Sequence, residues 1–156
     1  MKAAVFSDSH GQTVLMEEAV RRTRPDVIIH LGDYDRDAVT LRHAFPEIPL
    51  YNVCGNCDIM PLAPAREVVQ LGPVKAFLTH GHLYGVKFGA VHSLVYAAQE
   101  AGAGIALFGH THEPFNDQLG GVYVINPGTA GKGYCPTFAL LEIFDNGGVY
   151  CSIKDL

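Results

Sequence analysis

Two histidines, His110 and His112, stand one residue apart, directly after a short apolar run at residues 104–108. In an extended backbone alternate side chains point to the same side, so both imidazoles could reach one small volume. Such a pair suits metal ligation. A polar turn in which two histidines happen to be close would have the same sequence pattern, however. The apolar run predicts a buried strand that ends at this loop. The other polar positions of the chain decide between the two interpretations.

Four other loops carry side chains of the types that bind metals, and each loop follows a predicted strand. These side chains are Asp8, His10, Asp33, Asn56 and His80. In open α/β sheets ligands bind beyond the carboxyl ends of the strands, which is where these loops fall. Together with His110 and His112 they form a mixed set of carboxylate, amide and imidazole groups. Such a set favours zinc, iron or manganese over calcium, which takes oxygen ligands.

Hydrophobic periodicity predicts an α/β first half and a β-rich second half. Strands are expected at residues 2–7, 27–30 and 50–53 and helices at 14–24 and 36–44, which we interpret as three strand–loop–helix units. A hairpin at 66–71 and 74–79 and a helix at 90–101 follow, and then strands at 114–119, 122–125, 137–144 and 149–154. We expect this second half to be mostly antiparallel. No repeat or linker interrupts the chain, so residues 1–156 are expected to form a single domain.

Composition and charge narrow the class of protein. The 156 residues carry a formal net charge of −5 and are 48% hydrophobic, which is typical of a globular protein. No basic run is present, so we expect no stable nucleic-acid binding, although bound metal cations could supply local positive charge. No apolar run approaches the roughly 18 residues of a membrane span. The N-terminus enters a strand pattern without a cleavable signal, so we expect a cytoplasmic protein.

Cys54 and Cys57 form a C-x-x-C pair, which could indicate redox chemistry or half of a zinc site. No second pair completes a four-cysteine zinc site, and this pair falls inside a motif that has another explanation below. We therefore disfavour a redox function. The four cysteines are expected to be reduced and free of disulfides.

Five blocks along the chain resemble the signature of a known family. They are Asp8-x-His10, Gly32-Asp33, Gly55-Asn56-Cys57-Asp58, His80-Gly81-His82 and Gly109-His110-Thr111-His112. These blocks are similar to those of the calcineurin-like metallophosphoesterases, in particular the small YfcE-like phosphodiesterases. A further block, Asn126-Pro127-Gly128-Thr129, resembles the Asn-Pro-Gly-Ser/Thr block of that subfamily. The resemblance implies a four-layer α/β/β/α sandwich and a metal-dependent phosphodiesterase.

The resemblance also implies a dinuclear metal centre. It assigns one divalent ion to Asp8, His10, Asp33 and His112, and a second to Asp33, Asn56, His80 and His110, so that Asp33 bridges the two. A hydroxide between ions about 3.5–4 Å apart can attack a phosphate ester in line while both ions stabilise the phosphoryl oxygens. The ions would be Mn²⁺, Ni²⁺, Zn²⁺ or Fe²⁺, because cellular supply decides their identity as much as the ligands do. The four positive charges of the two ions exceed the two negative charges of Asp8 and Asp33. The site would therefore attract a small anionic phosphate ester.

Three residues are candidate catalytic groups, namely Asp33, Asn56 and His82. For His82 we favour a contact to the substrate phosphate or to a metal ligand over metal ligation itself. The resemblance implies a departure at Cys57, where protein phosphatases of the superfamily have the histidine that would protonate the leaving group. A neutral thiol is a poor substitute, with an ordinary pKa of about 8.5, so we expect better activity on esters with acidic leaving groups. Asp58 is either a turn residue or a group that positions the site.

Several other polar residues are interpreted as structural. His30 lies in an apolar strand and is expected to be a hydrogen-bonded core histidine. His43 and His92 fall on predicted helices and are expected to be surface or partly buried residues. Tyr84 and Lys87 could border the site, but solvated positions are favoured for both. Lys132 could contact substrate anions, but a position without such a contact is favoured. Glycines flank the candidate ligands, where a missing Cβ permits tight turns and close approach; they are Gly11, Gly32, Gly55, Gly81 and Gly109.

Other functions stay open at this point. The chain could be a phosphomonoesterase, and a nuclease is disfavoured because the short chain leaves no room for the insertions and basic surfaces of DNA-repair relatives. It could also be a non-catalytic interaction module, a case that the retromer subunit of this fold resembles. Several of the ligand positions are altered in that subunit. All seven positions are intact here, which favours an enzyme. Exposed strand edges in the second half could support a homo-oligomer.

Overall fold

The computed structural model describes residues 1–131, 133 and 135–156, so the expectation for Lys132 lies outside the described residues. The strands are β1 Lys2–Phe6, β2 Val27–His30, β3 Leu50–Asn52, β4 Arg66–Leu71, β5 Val74–Thr79, β6 Ile105–Leu107, β7 Pro114–Leu119, β8 Val122–Pro127, β9 Thr137–Ile143 and β10 Val149–Asp155. The helices are α1 Thr13–Thr23, α2 Asp35–Ala44 and α3 Val91–Glu100. These bounds confirm every strand and helix that the sequence predicts with a residue range. No described helix combines the length and apolar character needed to cross a membrane.

The strands form two five-stranded sheets. The first has the order β10-β9-β1-β2-β3, in which β1, β2 and β3 are parallel and β9 and β10 run antiparallel. The second has the order β4-β5-β6-β8-β7. The expectation of a mostly antiparallel second half is wrong for its centre, because β5, β6 and β8 pair in parallel. The cause is α3, which carries the chain back after β5 as a crossover that parallel pairing requires.

The third strand departs from the predicted strand–loop–helix pattern. The chain after β3 is irregular up to β4, and no helix covers it. Pro61 and Pro64 lie in this segment, and proline removes the amide that a helix interior needs. The interpretation of three strand–loop–helix units is therefore wrong for the third unit.

Three apolar clusters separate four layers of secondary structure. One cluster fills the space between the two sheets and includes Val5, Ile29 and Leu107. A second lies between the first sheet and helices α1 and α2, and a third between the second sheet and α3. Strand β1 shows why, since Ala3 and Val5 belong to the first cluster while Ala4 and Phe6 belong to the second, as the alternation of side chains along a strand requires. The four-layer α/β/β/α sandwich is confirmed.

The strand ends bring the polar loops to one end of this sandwich. In the first sheet, Asp8, Asp33 and Asn56 follow the parallel strands β1, β2 and β3. In the second sheet, His80 and His110 follow the parallel strands β5 and β6. Parallel strands that share a sheet end at the same edge, so each sheet presents its polar loops together.

Candidate metal centre

The loops that carry the candidate ligands have an unusual backbone. Among the described residues, eight that are not glycine have positive φ, and five of these are candidate ligands: Asp8, His10, Asp33, His110 and His112. Positive φ is uncommon for non-glycine residues and concentrates at functional sites. The expectation of an extended backbone at His110 and His112 is wrong, because their φ angles are 69° and 62°. The local turn, and not strand alternation, directs both imidazoles.

Four of the predicted ligands form one tight group. The ligand atoms of Asp8, His10, Asp33 and His112 all lie within 4.8 Å of one another. Asp8 and Asp33 are buried, while the side chain of His112 is 42% exposed. The two carboxylates of this group are therefore buried, whereas the imidazole of His112 is accessible to solvent.

Asp8 has one satisfied oxygen and one that lacks a hydrogen bond. Its Oδ2 accepts hydrogen bonds from the Ser7 hydroxyl at 2.6 Å and from the amide of His110 at 3.0 Å. Its Oδ1 is buried without a hydrogen-bond partner among the described residues. The Nε2 atoms of His112 and His80 lie 3.0 and 3.9 Å from Oδ1. A buried unpaired carboxylate oxygen is costly, and a cation between these atoms would satisfy it.

His80 connects the second set of predicted ligands. Its Nδ1 lies 2.8 Å from the carbonyl oxygen of Leu31, which only accepts, so Nδ1 carries a proton and Nε2 is left to face the site. That Nε2 lies 3.1 Å from Oδ1 of Asn56 and 3.4 Å from Oδ1 of Asp33. A cation bound among these three atoms would be coordinated by all of them. A partner that fixes the other nitrogen of the ring is typical of metal-binding histidines.

His110 and His82 lie beside His80. The ring centroid of His110 is 5.0 Å from that of His80, and His82 is 5.5 Å from His80. Burial, together with the charge of His80 and Lys87, lowers the pKa of His110 to about 4. Burial and His80 also lower the pKa of His82, whose Nδ1 is buried without a partner. Both rings are therefore neutral near pH 7, as a ligand must be.

Asp33 lies between the two sets. Burial acts to raise its pKa, but His80 and hydrogen bonds from Cys57 outweigh burial, so the pKa of Asp33 lies below its ordinary range. Oδ1 accepts the amide N–H of Cys57 at 2.9 Å. Burial, followed by the contact with Asp33, raises the pKa of the Cys57 thiol to about 11. The thiol is therefore neutral, in line with the sequence interpretation.

Asp58 holds the loops after β2 and β3 together. Its carboxylate accepts hydrogen bonds from four backbone amides, those of Asp33, Tyr34, Asp35 and Gly55. The distances run from 2.7 Å for Tyr34 and Gly55 to 3.1 Å for Asp33. The sequence left Asp58 open between a turn residue and a positioning group, and these contacts give it the positioning role.

The Asn-Pro-Gly-Thr block holds two further loops, a role that sequence reasoning missed. Asn126 donates to the Gly109 carbonyl at 2.9 Å and to the Thr111 hydroxyl at 3.0 Å. Thr129 donates its hydroxyl hydrogen to the carbonyl of Asp8 at 2.9 Å. The resemblance of the block to a family motif was the signal available in the sequence, but a motif does not show its partners.

His30 belongs to a buried network, as expected for a core histidine. The Ser9 hydroxyl donates to Asp37 at 2.7 Å and so accepts from Nε2 of His30 at 2.9 Å. Nδ1 of His30 accepts the amide N–H of Gly32 at 3.3 Å. Burial lowers the pKa of His30 despite the acidic groups around it. The network fixes the loop between Asp8 and His10 against β2 and α2, and its individual bonds could not be predicted.

The remaining structural expectations are mostly confirmed. His43, His92 and Lys87 are exposed, and all four cysteines are free. Tyr84 is an exception, since it is half-buried, its hydroxyl accepts from Arg66 and its ring packs edge-on against Phe77. Close approach is confirmed at Gly32, Gly55, Gly81 and Gly109, where an added Cβ would collide with neighbours, but not at Gly11, where positive φ alone favours glycine.

The donor set fits divalent metal ions. It brings together two buried carboxylates, the amide of Asn56 and several imidazoles, of which that of His80 has its Nδ1 fixed by a carbonyl oxygen. Mixed oxygen and nitrogen donors of this type suit first-row transition metals and zinc. All the predicted ligands lie at the same end of the molecule.

Comparison with known proteins gives the family. The sequence profile of the Calcineurin-like phosphoesterase superfamily domain matches residues 1–146. The chain is 34% identical over 131 residues to the probable metallophosphoesterase YsnB of Bacillus subtilis, which covers 83% of this chain and 75% of YsnB. It is 35% identical over 162 residues to the phosphodiesterase MJ0936 of Methanocaldococcus jannaschii, with 91% and 93% covered. It is 33% identical over 153 residues to the phosphodiesterase YfcE of Escherichia coli, with 83% and 79% covered.

A solved structure shows the same fold. Wild-type Vps29 from Entamoeba histolytica, complexed with Zn²⁺, superposes with a TM-score of 0.78 at 24% identity, covering 99% of each chain. At that identity the likeness concerns the fold alone. The profile match and the three relatives together decide the family. This chain belongs to the calcineurin-like phosphoesterase superfamily.

Proposed function

We propose that this protein is a phosphodiesterase that uses two divalent metal ions, with manganese, nickel, zinc or iron as candidates. The proposal rests on His80, whose Nε2 lies 3.1 and 3.4 Å from oxygens of Asn56 and Asp33. A divalent ion at this point would be coordinated by one imidazole nitrogen and two oxygens, a donor set that suits first-row transition metals and zinc. The unpartnered Oδ1 of Asp8 supports the same conclusion on the other side of Asp33.

The two sets of ligands share one carboxylate. One set consists of Asp8, His10, Asp33 and His112, and the other of Asp33, Asn56, His80 and His110. Two bound ions would supply a nucleophile derived from water and positive charge for the phosphoryl oxygens. Water adds to phosphorus, one ester P–O bond breaks, and the departing alcohol takes up a proton.

The protein's own residues orient this chemistry. The Leu31 carbonyl fixes the ring of His80, and Asp58 fixes the backbone on both sides of Asp33. His82 contributes a neutral imidazole beside His80 and His110, which suits a contact to substrate phosphate. The exposed side chain of His112 leaves the site open to a small phosphate ester.

The leaving group receives little help from Cys57. Its thiol has a pKa of about 11 and is a weak proton donor near neutral pH. A diester with an acidic leaving group should therefore react faster than a diester of an ordinary alcohol. Two relatives named phosphodiesterase, MJ0936 and YfcE, support the choice of a diester over a monoester.

The test is hydrolysis of bis(4-nitrophenyl) phosphate after chelation and reloading with each candidate metal. Wild type should be active, and Asp33→Ala and Asp33→Asn should lose activity by more than about 100-fold, because residues that merely hold ligands already cost about 10- to 100-fold. Asp145→Asn changes an exposed carboxylate in a turn between β9 and β10 and serves as the matched control. No activity of wild type with any of these metals would favour a non-catalytic module instead, and activity on 4-nitrophenyl phosphate alone would favour a phosphomonoesterase.

A further inference from the structure

A groove of about 330 Å³ opens beside the candidate ligands, between the loop after β2 and the loop after β3. Its lining consists of Tyr34, Asp35, Arg36, Cys57, Asp58, Ile59 and Met60. A groove of about 400 Å³ between β4 and α3 has no lining residue next to a candidate ligand in the sequence. The groove of about 330 Å³ is lined by Tyr34 and Cys57, which directly follow the candidate ligands Asp33 and Asn56, so it is placed to contact a substrate.

The groove has an apolar wall exposed to solvent. Ile59 is 86% exposed, Met60 83% and Tyr34 46%. Large apolar side chains at such exposure, gathered in one concave place, indicate a binding surface. Nothing in the fold requires them, since none of the three belongs to the three core clusters.

Among the charged side chains that line the groove, the cation Arg36 is available to contact a ligand. Asp35 accepts the amides of Leu62 and Ala63, and Asp58 accepts four backbone amides. These hydrogen bonds stabilise the two carboxylates. Arg36 is exposed and forms no salt bridge within the described part of the chain. Its planar guanidinium can stack on an aromatic ring.

The groove begins at the candidate metal ligands. Tyr34 directly follows Asp33, and its ring packs edge-on against His10 with centroids 5.3 Å apart. Cys57 directly follows Asn56, and its amide donates to Asp33. Cys57 also occupies the position that the family resemblance assigns to the leaving-group side. A group that departs from phosphorus on this side would enter the groove.

We propose that this groove holds the planar aromatic leaving group of a phosphodiester substrate, against Met60, Ile59 and Tyr34. The proposal rests on the proposed phosphodiesterase function and adds the class of substrate. Methionine sulfur and aromatic rings pair favourably, and the tyrosine supplies an aromatic face. The preference for aromatic esters then comes from contact with the ring as well as from the acidity of the leaving group.

The kinetic test separates ring contact from acidity. Methyl phenyl phosphate and methyl hexafluoroisopropyl phosphate have leaving groups of similar acidity, but only the first is aromatic. Met60→Asn removes the apolar side chain and suits the backbone, because φ is 53° there and asparagine tolerates that region. It should lower kcat/KM for the phenyl ester by about fivefold, mainly through KM, and leave the other ester unchanged. Tyr96→Gln, at an exposed tyrosine of α3, should change neither.

Equal effects of Met60→Asn on the two esters, or no effect on either, would overturn the groove assignment and leave the phosphodiesterase proposal standing. Hydrolysis of neither ester by metal-loaded wild type, with bis(4-nitrophenyl) phosphate also untouched, would overturn both. The two failures are therefore distinguishable.

A second measurement does not depend on turnover. The chain has three methionines, and Met16 is buried while Met60 is 83% exposed. In zinc-loaded protein labelled with ¹³C-methyl methionine, benzylphosphonate should shift the Met60 methyl resonance through the ring current and leave Met16 and Met1 in place. Methylphosphonate, which lacks the ring, should not shift it. An unshifted Met60 methyl at saturating benzylphosphonate would overturn the proposal.

Discussion

At the scale of single residues, Asp8 shows most clearly what the site needs. One carboxylate oxygen accepts two hydrogen bonds, and the other is buried beside two imidazole nitrogens without a partner. A carboxylate arranged in this way would destabilise the metal-free protein and would stabilise a metal-bound one. If Asp8 is a ligand, as proposed, metal binding and the stability of the metal-free protein oppose each other at this residue.

Asp8→Asn tests that opposition. The asparagine can keep its oxygen toward Ser7 and present its amide to His112, and it removes a buried charge. Metal bound per chain should fall, and the free energy of unfolding of the chelator-treated protein should rise by about 1 kcal/mol. Elemental analysis and urea denaturation measure the two quantities, with Asp145→Asn as control. Unchanged metal content, or a lower stability of the metal-free variant, would contradict the assignment.

His30 predicts a pH dependence of stability in the metal-free protein. Burial holds its folded-state pKa below the ordinary value of 6.5, against the opposing charges of Asp37, Asp8 and Asp58. Below pH 6.5, His30 therefore binds a proton more readily in the unfolded chain than in the folded chain. The contribution is fully present above pH 6.5 and is lost as the pH falls toward the folded pKa.

With chelator present, His30→Gln should make the unfolding free energy less dependent on pH between 6.5 and 5.5 than it is in wild type. Urea denaturation at a series of pH values measures this slope. His43→Gln changes an exposed histidine of α2 and should leave the slope as in wild type. If the two variants behaved alike, burial of His30 would not be the cause.

At the scale of elements, the sequence predicted the strands and α-helices of the described residues because periodicity is a local property. It did not predict the two short 3₁₀ helices at His82–Tyr84 and Val86–Phe88. It could not predict that β9 and β10 join the first sheet, since that pairing connects residues far apart along the chain. Nor could it predict the left-handed backbone of His110 and His112, which tertiary contacts from Asn126 hold in place. Residue types revealed the candidate ligands, and only the fold revealed what holds them.

The loops after β2 and β3 touch each other at Gly32 and Gly55. A Cβ on Gly32 would lie 2.5 Å from the amide nitrogen of Gly55, and φ at Gly32 is +94°. Gly32→Ala should lower the free energy of unfolding by about 2–4 kcal/mol through collision plus backbone strain. Gly121→Ala has a similar φ of +82° but open space around it, so strain alone should cost about 1–2 kcal/mol. Equal losses in urea denaturation would exclude the loop contact as the cause.

At the scale of the whole molecule, the sandwich leaves four strand edges, at β10, β3, β4 and β7. The homo-oligomer suggested by the sequence stays a prediction. Sedimentation velocity should show a species of at least twice the 16.9 kDa of one chain. A mass of one chain at every concentration would contradict it, without affecting the metal centre.

Both sheets contribute residues to the candidate metal centre. Asp8, Asp33 and Asn56 follow strands of the first sheet, whereas His80 and His110 follow strands of the second. His112 and His110 share one loop yet belong to different proposed ion sites. Loss of one of these two histidines should therefore affect one ion and spare the other.

Metal content per chain, in wild type and in His110→Ala and His112→Ala, shows whether two ions occupy two different sets of ligands. After chelation, reloading with zinc and removal of the excess, wild type should retain two ions per chain. Each variant should retain about one, because each loses a ligand from a different set. Wild type that retains no ion or a single ion, or variants that both keep two, would contradict a dinuclear centre divided in this way.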